Sequence, residues 1–253
     1  MLFFSVVILI LILIIILFVN INQKKDSGIS DNNGASVSNA ITDDSVLSGD
    51  STFLVVVTGE SNDLTLSFLA DFKVYSRKLV LTPLKNDTMS EDGRTYGECY
   101  AYGGINLLEN SVEKIRNIEI DRYAVVSRSG ISKITDIMGN VSIYVDEEFT
   151  YATSDKTYTV SAGDNEMGSD MLHTYISIIS EKNNGEYSAV EVIASIINTY
   201  LQSELTASEN LFGDITDCFN TNLTISDYYT AKNDIEHLLN GDFTCVLSES
   251  IES

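Results

Sequence analysis

Apolar positions are spread unevenly along this chain. From residue 2 to residue 19 they follow one another with only Ser5 between them. Such a run makes a helix of about 27 Å, close to the thickness of a bilayer core. It has no polar face, and no small-residue cleavage site follows closely, so residues 1–20 are expected to be an uncleaved transmembrane anchor. Residues 21–51 then lose all apolar periodicity and are rich in Ser, Asp, Asn and Gly, the composition of a flexible acidic linker. Regular patterning begins at Thr52, and residues 52–253 are expected to form one folded domain.

Within that domain, residues 53–57 are continuously apolar, as in a central strand covered on both faces. Residues 64–70 and 78–82 read as further strands, the latter closed by Pro83, the chain's one proline. Residues 84–98 are polar and predict a loop. A glycine turn at 100–104 leads into a helix, because Ile105, Leu107, Leu108, Val112 and Ile115 recur at helical spacing. Residues 123–126 predict a strand. Ser129 is the expected N-cap of a helix through Met138, with Gly139 just past its end. A strand at 141–145 and a hairpin within 149–165 follow. Met171, Leu172, Tyr175, Ile178 and Ile179 predict a helix stopped by Asn183, Asn184 and Gly185. Ser188 and Glu191 then have the spacing of a capping box for a helix carrying Val190, Ile193, Ile197 and Leu201 on one stripe. A last helix over 226–239, ended by Gly241, precedes a strand at 243–247. Strands alternating with helices predict an α/β fold, a mixed central sheet flanked by helices.

Charge narrows the function classes. The chain carries 37 acidic and 15 basic side chains, a net charge of -22. Such a surface repels nucleic acid, whose binding depends on Lys and Arg displacing counterions, so no nucleic-acid partner is expected. Cys99, Cys218 and Cys245 have no zinc-ligand spacing. Cys218 and Cys245 are read either as buried free thiols or as a pair bridged outside the cell. His173 and His237 are expected on helix surfaces, since neither lies near a nucleophile motif.

The run Tyr-Ala-Tyr-Gly-Gly at 100–104, the helix after it, Ile-Asp-Arg-Tyr-Ala-Val-Val-Ser at 120–127 and the elements through 145 resemble the LytR-CpsA-Psr (LCP) domain. Val-Val-Val-Thr-Gly-Glu-Ser at 55–61 is similar to the family's opening strand and Gly-Val-Asp-Ser turn. Residues 78–88 resemble its strand ending in Ile-Pro-Arg-Asp-Thr, and the likeness extends over about residues 52–247. The resemblance implies a membrane-anchored, single-pass protein of the cell membrane with an extracytoplasmic domain. It implies glycopolymer transfer from a polyprenyl-pyrophosphate carrier to peptidoglycan, with a divalent cation, Mg²⁺ or Mn²⁺, and arginines on the pyrophosphate. An apolar pocket between sheet and helices would take the lipid. The pair Lys24 and Lys25, taken alone, favours instead a cytoplasmic body.

Residue by residue the match is uneven. Glu60 stands where the family has its first Asp, Asp63 near its second carboxylate, and Asp87 matches the Asp of Arg-Asp-Thr. Glu60, Asp63 and Asp87 are therefore the implied metal ligands, and Asp87 and Lys85 the implied catalytic residues. The arginine before that Asp is replaced by Asn86, with Lys85 one residue earlier. No arginine follows Arg128, so both C-terminal arginine motifs are empty. Lysine, a point charge, does not replace a bidentate guanidinium. The sequence thus predicts a retained LCP fold with a degenerate site, binding a lipid-linked glycan with weakened or lost phosphotransferase activity. An active transferase with a divergent metal site, and a non-catalytic envelope scaffold or regulator, stand as the alternatives.

Overall fold

The computed structural model describes residues 49–248, apart from 60, 139, 153–156, 183, 202–212, 215, 240 and 241. The expected anchor at 2–19 lies outside the described residues, as does most of the linker; among the described residues no helix is long and apolar enough to cross a membrane.

The strands are β1 (Ser51–Thr58), β2 (Leu64–Lys73), β3 (Lys78–Leu84), β4 (Arg122–Val126), β5 (Val141–Val145), β6 (Phe149–Ala152), β7 (Thr157–Val160), β8 (Gly163–Met167), β9 (Asn220–Thr221) and β10 (Thr244–Leu247). The helices are α1 (Tyr96–Arg116), α2 (Arg128–Met138), α3 (Ser169–Ser180), α4 (Gly185–Leu201) and α5 (Ile225–Leu239). The main sheet has six strands in the order β10-β3-β2-β1-β4-β9. β1 is antiparallel to β2 and parallel to β4, β2 is antiparallel to β3, and β10 is parallel to β3. The expected mixed, covered sheet is therefore present. β5 pairs with β8, and β6 with β7 as the expected hairpin.

β1 is the central strand that its unbroken apolar run predicts. Phe53, Val55 and Val57 face a large core shared with β2, β5 and helices α2 to α5. Leu54 and Val56 face a smaller one closed by Tyr96, Tyr100, Leu108 and Val112 of α1. Side chains alternate along a strand, so neither face of β1 reaches water.

α1 begins earlier than its aliphatic spacing suggests. Thr95 Oγ accepts from the Glu98 N–H at 3.2 Å, and Glu98 Oε accepts from the Thr95 N–H at 2.8 Å, a complete capping box. The first turns bury Tyr96, Cys99 and Tyr100, so the buried stripe is present but not aliphatic. The expected glycine turn is a kink inside this helix: Gly104 has φ 63° and ψ -156°, a conformation open to glycine alone without strain.

Two other expected caps move. Ser127, not Ser129, caps α2: its Oγ accepts from the Gly130 N–H at 3.2 Å. Ser188 lies inside α4, its N–H bonded to the Asn184 carbonyl at 3.2 Å, so it does not start that helix. All three cysteines are buried free thiols, and burial pushes Cys245 up to about 12.

Candidate ligand edge

The pairing pattern aims β1, β3 and β4 in one direction, so their carboxyl ends share one edge of the sheet. In open α/β sheets this edge is where ligands gather. It collects the turn after β1, the loop after β3 and the start of α2.

The turn after β1 is tightly wound. The Gly59 N–H donates to the Asp63 carbonyl at 2.9 Å, and the Asn62 N–H to the Gly59 carbonyl at 3.1 Å. Asp63 is exposed, and its carboxylate folds against the turn: a Cβ at Gly59 would stand 2.8 Å from Asp63 Oδ1. In the loop after β3, Lys85 and Asp87 are exposed. Between them, half-buried Asn86 ties three segments together. Its Nδ2 donates to the Thr65 carbonyl at 3.1 Å and its N–H to Glu186 Oε1 at 3.3 Å. Its carbonyl accepts from the Gly97 N–H at 3.0 Å. The residue standing in place of the family's arginine is thus a structural tie.

Lys85, Asp63 and Asp87 belong to the same edge. Glu60, the remaining implied metal ligand, lies outside the described residues. Among the described residues no group of three or more His, Cys, Asp or Glu is gathered to hold a metal. Asp63 and Asp87 alone do not make a hard-cation site, which needs six or so oxygens.

The third component was not singled out in the sequence. A cleft of about 600 Å³ opens at the start of α2, between Gly59 at the end of β1 and Asp170 at the start of α3. Arg128 and Lys133 line it, with the hydroxyl-bearing Ser127, Ser129 and Ser132. Arg128 Nε donates to Asp170 Oδ1 at 3.1 Å, and Lys133 Nζ to the Asp217 carbonyl at 3.1 Å. α2 has no acidic residue in its first turn. Gly130 is required there by close approach: a Cβ would stand 2.3 Å from the Cys218 carbonyl oxygen.

His173 corrects another expectation. It is buried, 4% exposed, and its Nε2 lies 3.0 Å from the Thr58 carbonyl. The contact fixes α3, and with it Asp170, against the end of β1. A spacing of three between Asp170 and His173, which puts both on one side of a helix, was the available signal.

A second cleft, of about 310 Å³, lies between β5, α3 and α4. Phe149 and Tyr175 stack in its wall with ring centroids 5.3 Å apart, beside Val145 and Ile179. Burial, then the nearby Asp146 carboxylate, raises the Tyr175 phenol above its ordinary value. α4 links this second cleft to the loop after β3, since its first turn carries Glu186, which bonds Asn86, and its next residues Ser188 and Glu191 line the cleft.

Three other arginines are engaged elsewhere. Arg122 forms an ion pair with buried Asp227 at 2.6 Å at the start of β4, on the opposite edge. Arg77 donates to the His237 carbonyl at 2.9 Å, and Arg94 pairs with Asp92 and lies over the Tyr102 ring. α3 and α4 contain no Lys or Arg at all.

A covered mixed sheet with polar loops and a cationic cleft at its carboxyl edge defines a three-layer α/β domain. The chain belongs to the LytR_cpsA_psr family, whose model matches residues 47–241. It is 24% identical over 158 residues to the polyisoprenyl-teichoic acid–peptidoglycan teichoic acid transferase TagU of Bacillus licheniformis, covering 57% of this chain and 50% of that protein. The TagU of Enterococcus faecalis is 23% identical over 133 residues, 51% of this chain and 43% of that protein. The chain therefore spans about half the length of the curated relatives it matches. The fold is shared with B. subtilis TagV, at TM-score 0.62 and 13% identity over 79% of this chain and 84% of that one. It is also shared with TagT bound to LI-WTA, at TM-score 0.58 and 13% identity over 79% of this chain and 78% of that one.

Proposed function

We propose that this domain takes part in cell-wall glycopolymer assembly, where it binds a polyprenyl-pyrophosphate-linked glycan with weakened or lost phosphotransferase activity. Family membership and the transferases among its relatives support the glycopolymer. The loss of activity rests on one observation. The helices that carry the family's arginine motifs, α3 and α4, hold no cation here, while Asn86 at the third arginine position serves the fold. A transition state at a pyrophosphate needs its spreading charge met by cations, and each missing charged hydrogen bond costs about 1.5–3 kcal/mol. In this reading Glu60, Asp63 and Asp87 would hold Mg²⁺ or Mn²⁺, which would supply neutralising charge at the pyrophosphate. Lys85 supplies a point charge, and the apolar wall of Phe149, Tyr175 and Ile179 covers the first part of the lipid. Residues 2–19 anchor the protein by a single pass, with the domain outside the cytoplasm and peptidoglycan within reach.

The test uses the full chain in detergent micelles with a polyprenyl pyrophosphate and Mg²⁺ or Mn²⁺, following binding, phosphate release and labelling of a wall acceptor. Binding without turnover is the expected result. Turnover abolished by Asp87→Ala would establish the active transferase instead, and absence of both would leave a scaffold. For placement, protease added to intact cells is expected to remove the domain; survival until lysis would put it in the cytoplasm.

A further inference from the structure

The hairpin between β2 and β3 lies at the other edge of the sheet, where β1, β3, β4 and β10 begin. Its turn is Val74-Tyr75-Ser76-Arg77, closed by the Arg77 N–H on the Val74 carbonyl at 3.2 Å. Val74 is fully buried, while Tyr75 at the apex is 68% exposed. Residues 72–84 hold Lys73, Arg77 and Lys78 and no acid, in a chain whose net charge is -22. Lys73 and Lys78 stand directly opposite each other in the antiparallel register. Like charges so placed repel, and the pair weakens the hairpin unless an anion lies against it. Arg77 has φ 51°, a left-handed conformation that glycine would adopt more easily, so the turn keeps a cation at some strain. Its guanidinium is held against the end of α5, where Nε donates to the His237 carbonyl at 2.9 Å.

The chain enters the domain at this same hairpin. Asp50 Oδ2 lies 3.4 Å from Lys73 Nζ, and Asp50 Oδ1 accepts from the Val74 N–H at 3.2 Å. Ahead of it, residues 20–48 separate the domain from the apolar run at 2–19, and a chain of that composition and length has a mean span of about 30 Å. A membrane crossed by residues 2–19 is therefore within reach of Tyr75. The other acids of this edge do not cancel the tip. Asp71 and Asp121 bond Thr52, Asp227 pairs with Arg122, and the exposed Glu119 and Asp242 precede β4 and β10 and flank the hairpin. A tyrosine between basic residues suits the headgroup layer of a bilayer, which meets the apolar ring, its hydroxyl and the cations together.

We infer that the β2–β3 tip rests on the anionic surface of the membrane that holds the anchor, with Tyr75 in the headgroup layer and Lys73 and Lys78 against lipid phosphates. The inference rests on the proposed single-pass anchor at 2–19 and not on the proposed glycan. The tether favours a lipid surface over a soluble polyanion, because it holds the tip at a high effective concentration of headgroups. Docked in this way, the domain turns its carboxyl edge away from the membrane by about one strand, roughly 25 Å for the eight residues of β1. A lipid-linked ligand then leaves the bilayer to reach Lys85 and Asp87, and the apolar wall of the second cleft is available to the hydrocarbon it exposes.

The chain has no tryptophan, so a single one serves as a reporter. The full chain is reconstituted into vesicles of phosphatidylglycerol or of phosphatidylcholine, with and without brominated acyl chains. Tyr75→Trp is compared with Tyr102→Trp, a 76% exposed position in the second turn of α1, which starts at the carboxyl edge. Circular dichroism confirms the fold of each variant, and co-flotation confirms incorporation. In phosphatidylglycerol the emission of Tyr75→Trp is expected to shift to the blue and to be quenched by bromine, and that of Tyr102→Trp to do neither. Lys73→Gln and Lys78→Gln, each added to Tyr75→Trp, are expected to lower the contact equilibrium about fivefold, the worth of one basic residue at an anionic surface. Salt at about 1 M, with a screening length of about 3 Å, is expected to release the tip. Quenching of Tyr75→Trp that is as strong in phosphatidylcholine, or unmoved by the lysine variants, overturns the inference. Quenching of neither reporter, of both alike or of Tyr102→Trp alone, in a chain that floats with the vesicles, overturns it while the anchor stands. A chain that does not float with the vesicles overturns the anchor, and the tip contact falls with it.

Discussion

Two helices start at the same edge of the sheet and start differently. α1 closes its own N-terminus: Thr95 and Glu98 satisfy each other's backbone, and the first turn sinks Tyr96, Cys99 and Tyr100 into the smaller core. α2 is capped by one serine, carries no acid in its first turn, and faces a cleft lined with Arg128 and Lys133. A helix end has polar groups that something must satisfy. Where the chain satisfies them internally, the element is architecture. Where it leaves cations and hydroxyls around an opening, the end is available to a ligand. The family-like stretch at 100–104 belongs to the first kind and the cation-lined opening at the start of α2 to the second.

The contrast breaks most sharply if α1 is loosened. Leu108→Ala, at a fully buried position, is expected to cost about 2–5 kcal/mol in urea unfolding while pyrophosphate affinity of the folded protein stays the same. A matching loss of affinity would mean that α1 also shapes the site. Next in size is Gly130→Ala. The new Cβ meets the Cys218 carbonyl, so the start of α2 must shift, at about 1–3 kcal/mol of stability. Here affinity is expected to fall as well, and unchanged binding would detach the cleft from the helix start. Thr95→Ala removes the cap of α1 for about 0.5–2 kcal/mol, read as a lowered melting temperature with binding untouched.

The smallest effect concerns pH and lies on the opposite edge. Asp121 accepts from the Thr52 N–H at 2.8 Å, yet burial outweighs that bond and raises its carboxyl above the ordinary 3.8. A folded value above the unfolded one means the folded protein holds the extra proton between the two. This contribution is therefore most favourable below the unfolded value and is lost as pH rises through the folded one. Asp121→Asn should flatten the decline in stability on the alkaline side of pH 4 without altering pyrophosphate binding. A slope that persists in the variant would place the titration elsewhere.

Much of this architecture was legible in the sequence because burial leaves a pattern. The unbroken run at 53–57 announced a strand covered twice, and both cores confirm it. The turn-helix-strand block named the family correctly. The start of α1 was missed because its buried stripe is tyrosine and cysteine, and because a glycine pair was read as a boundary where the chain merely kinks. His173 was placed at the surface because polarity alone does not reveal a buried partner such as the Thr58 carbonyl. The expected site, Glu60, Asp63, Asp87 and Lys85, follows the family resemblance, and Glu60 lies outside the described residues. Arg128 and Lys133 belong to no motif named from the sequence. Their common cleft depends on α3 and on Asp217, distant in sequence, which periodicity does not bring together.

The pairing of β10 with β3 has a further consequence for how the domain comes into being. Thr244 stands opposite Lys78, and Asn198 of α4 clamps Cys245 through both its amide atoms, at 2.7 and 2.9 Å. A contact of such long sequence separation forms late, since loop closure must precede its reward. Until Leu247 has emerged from the ribosome, β3 presents an unpaired rim with Leu79 and Leu81 beside it, the kind of strand that invites pairing with another chain. During synthesis this rim is therefore the domain's exposed flank, and a chaperone that shields an extended apolar strand would find its binding stretch at Lys78–Leu84.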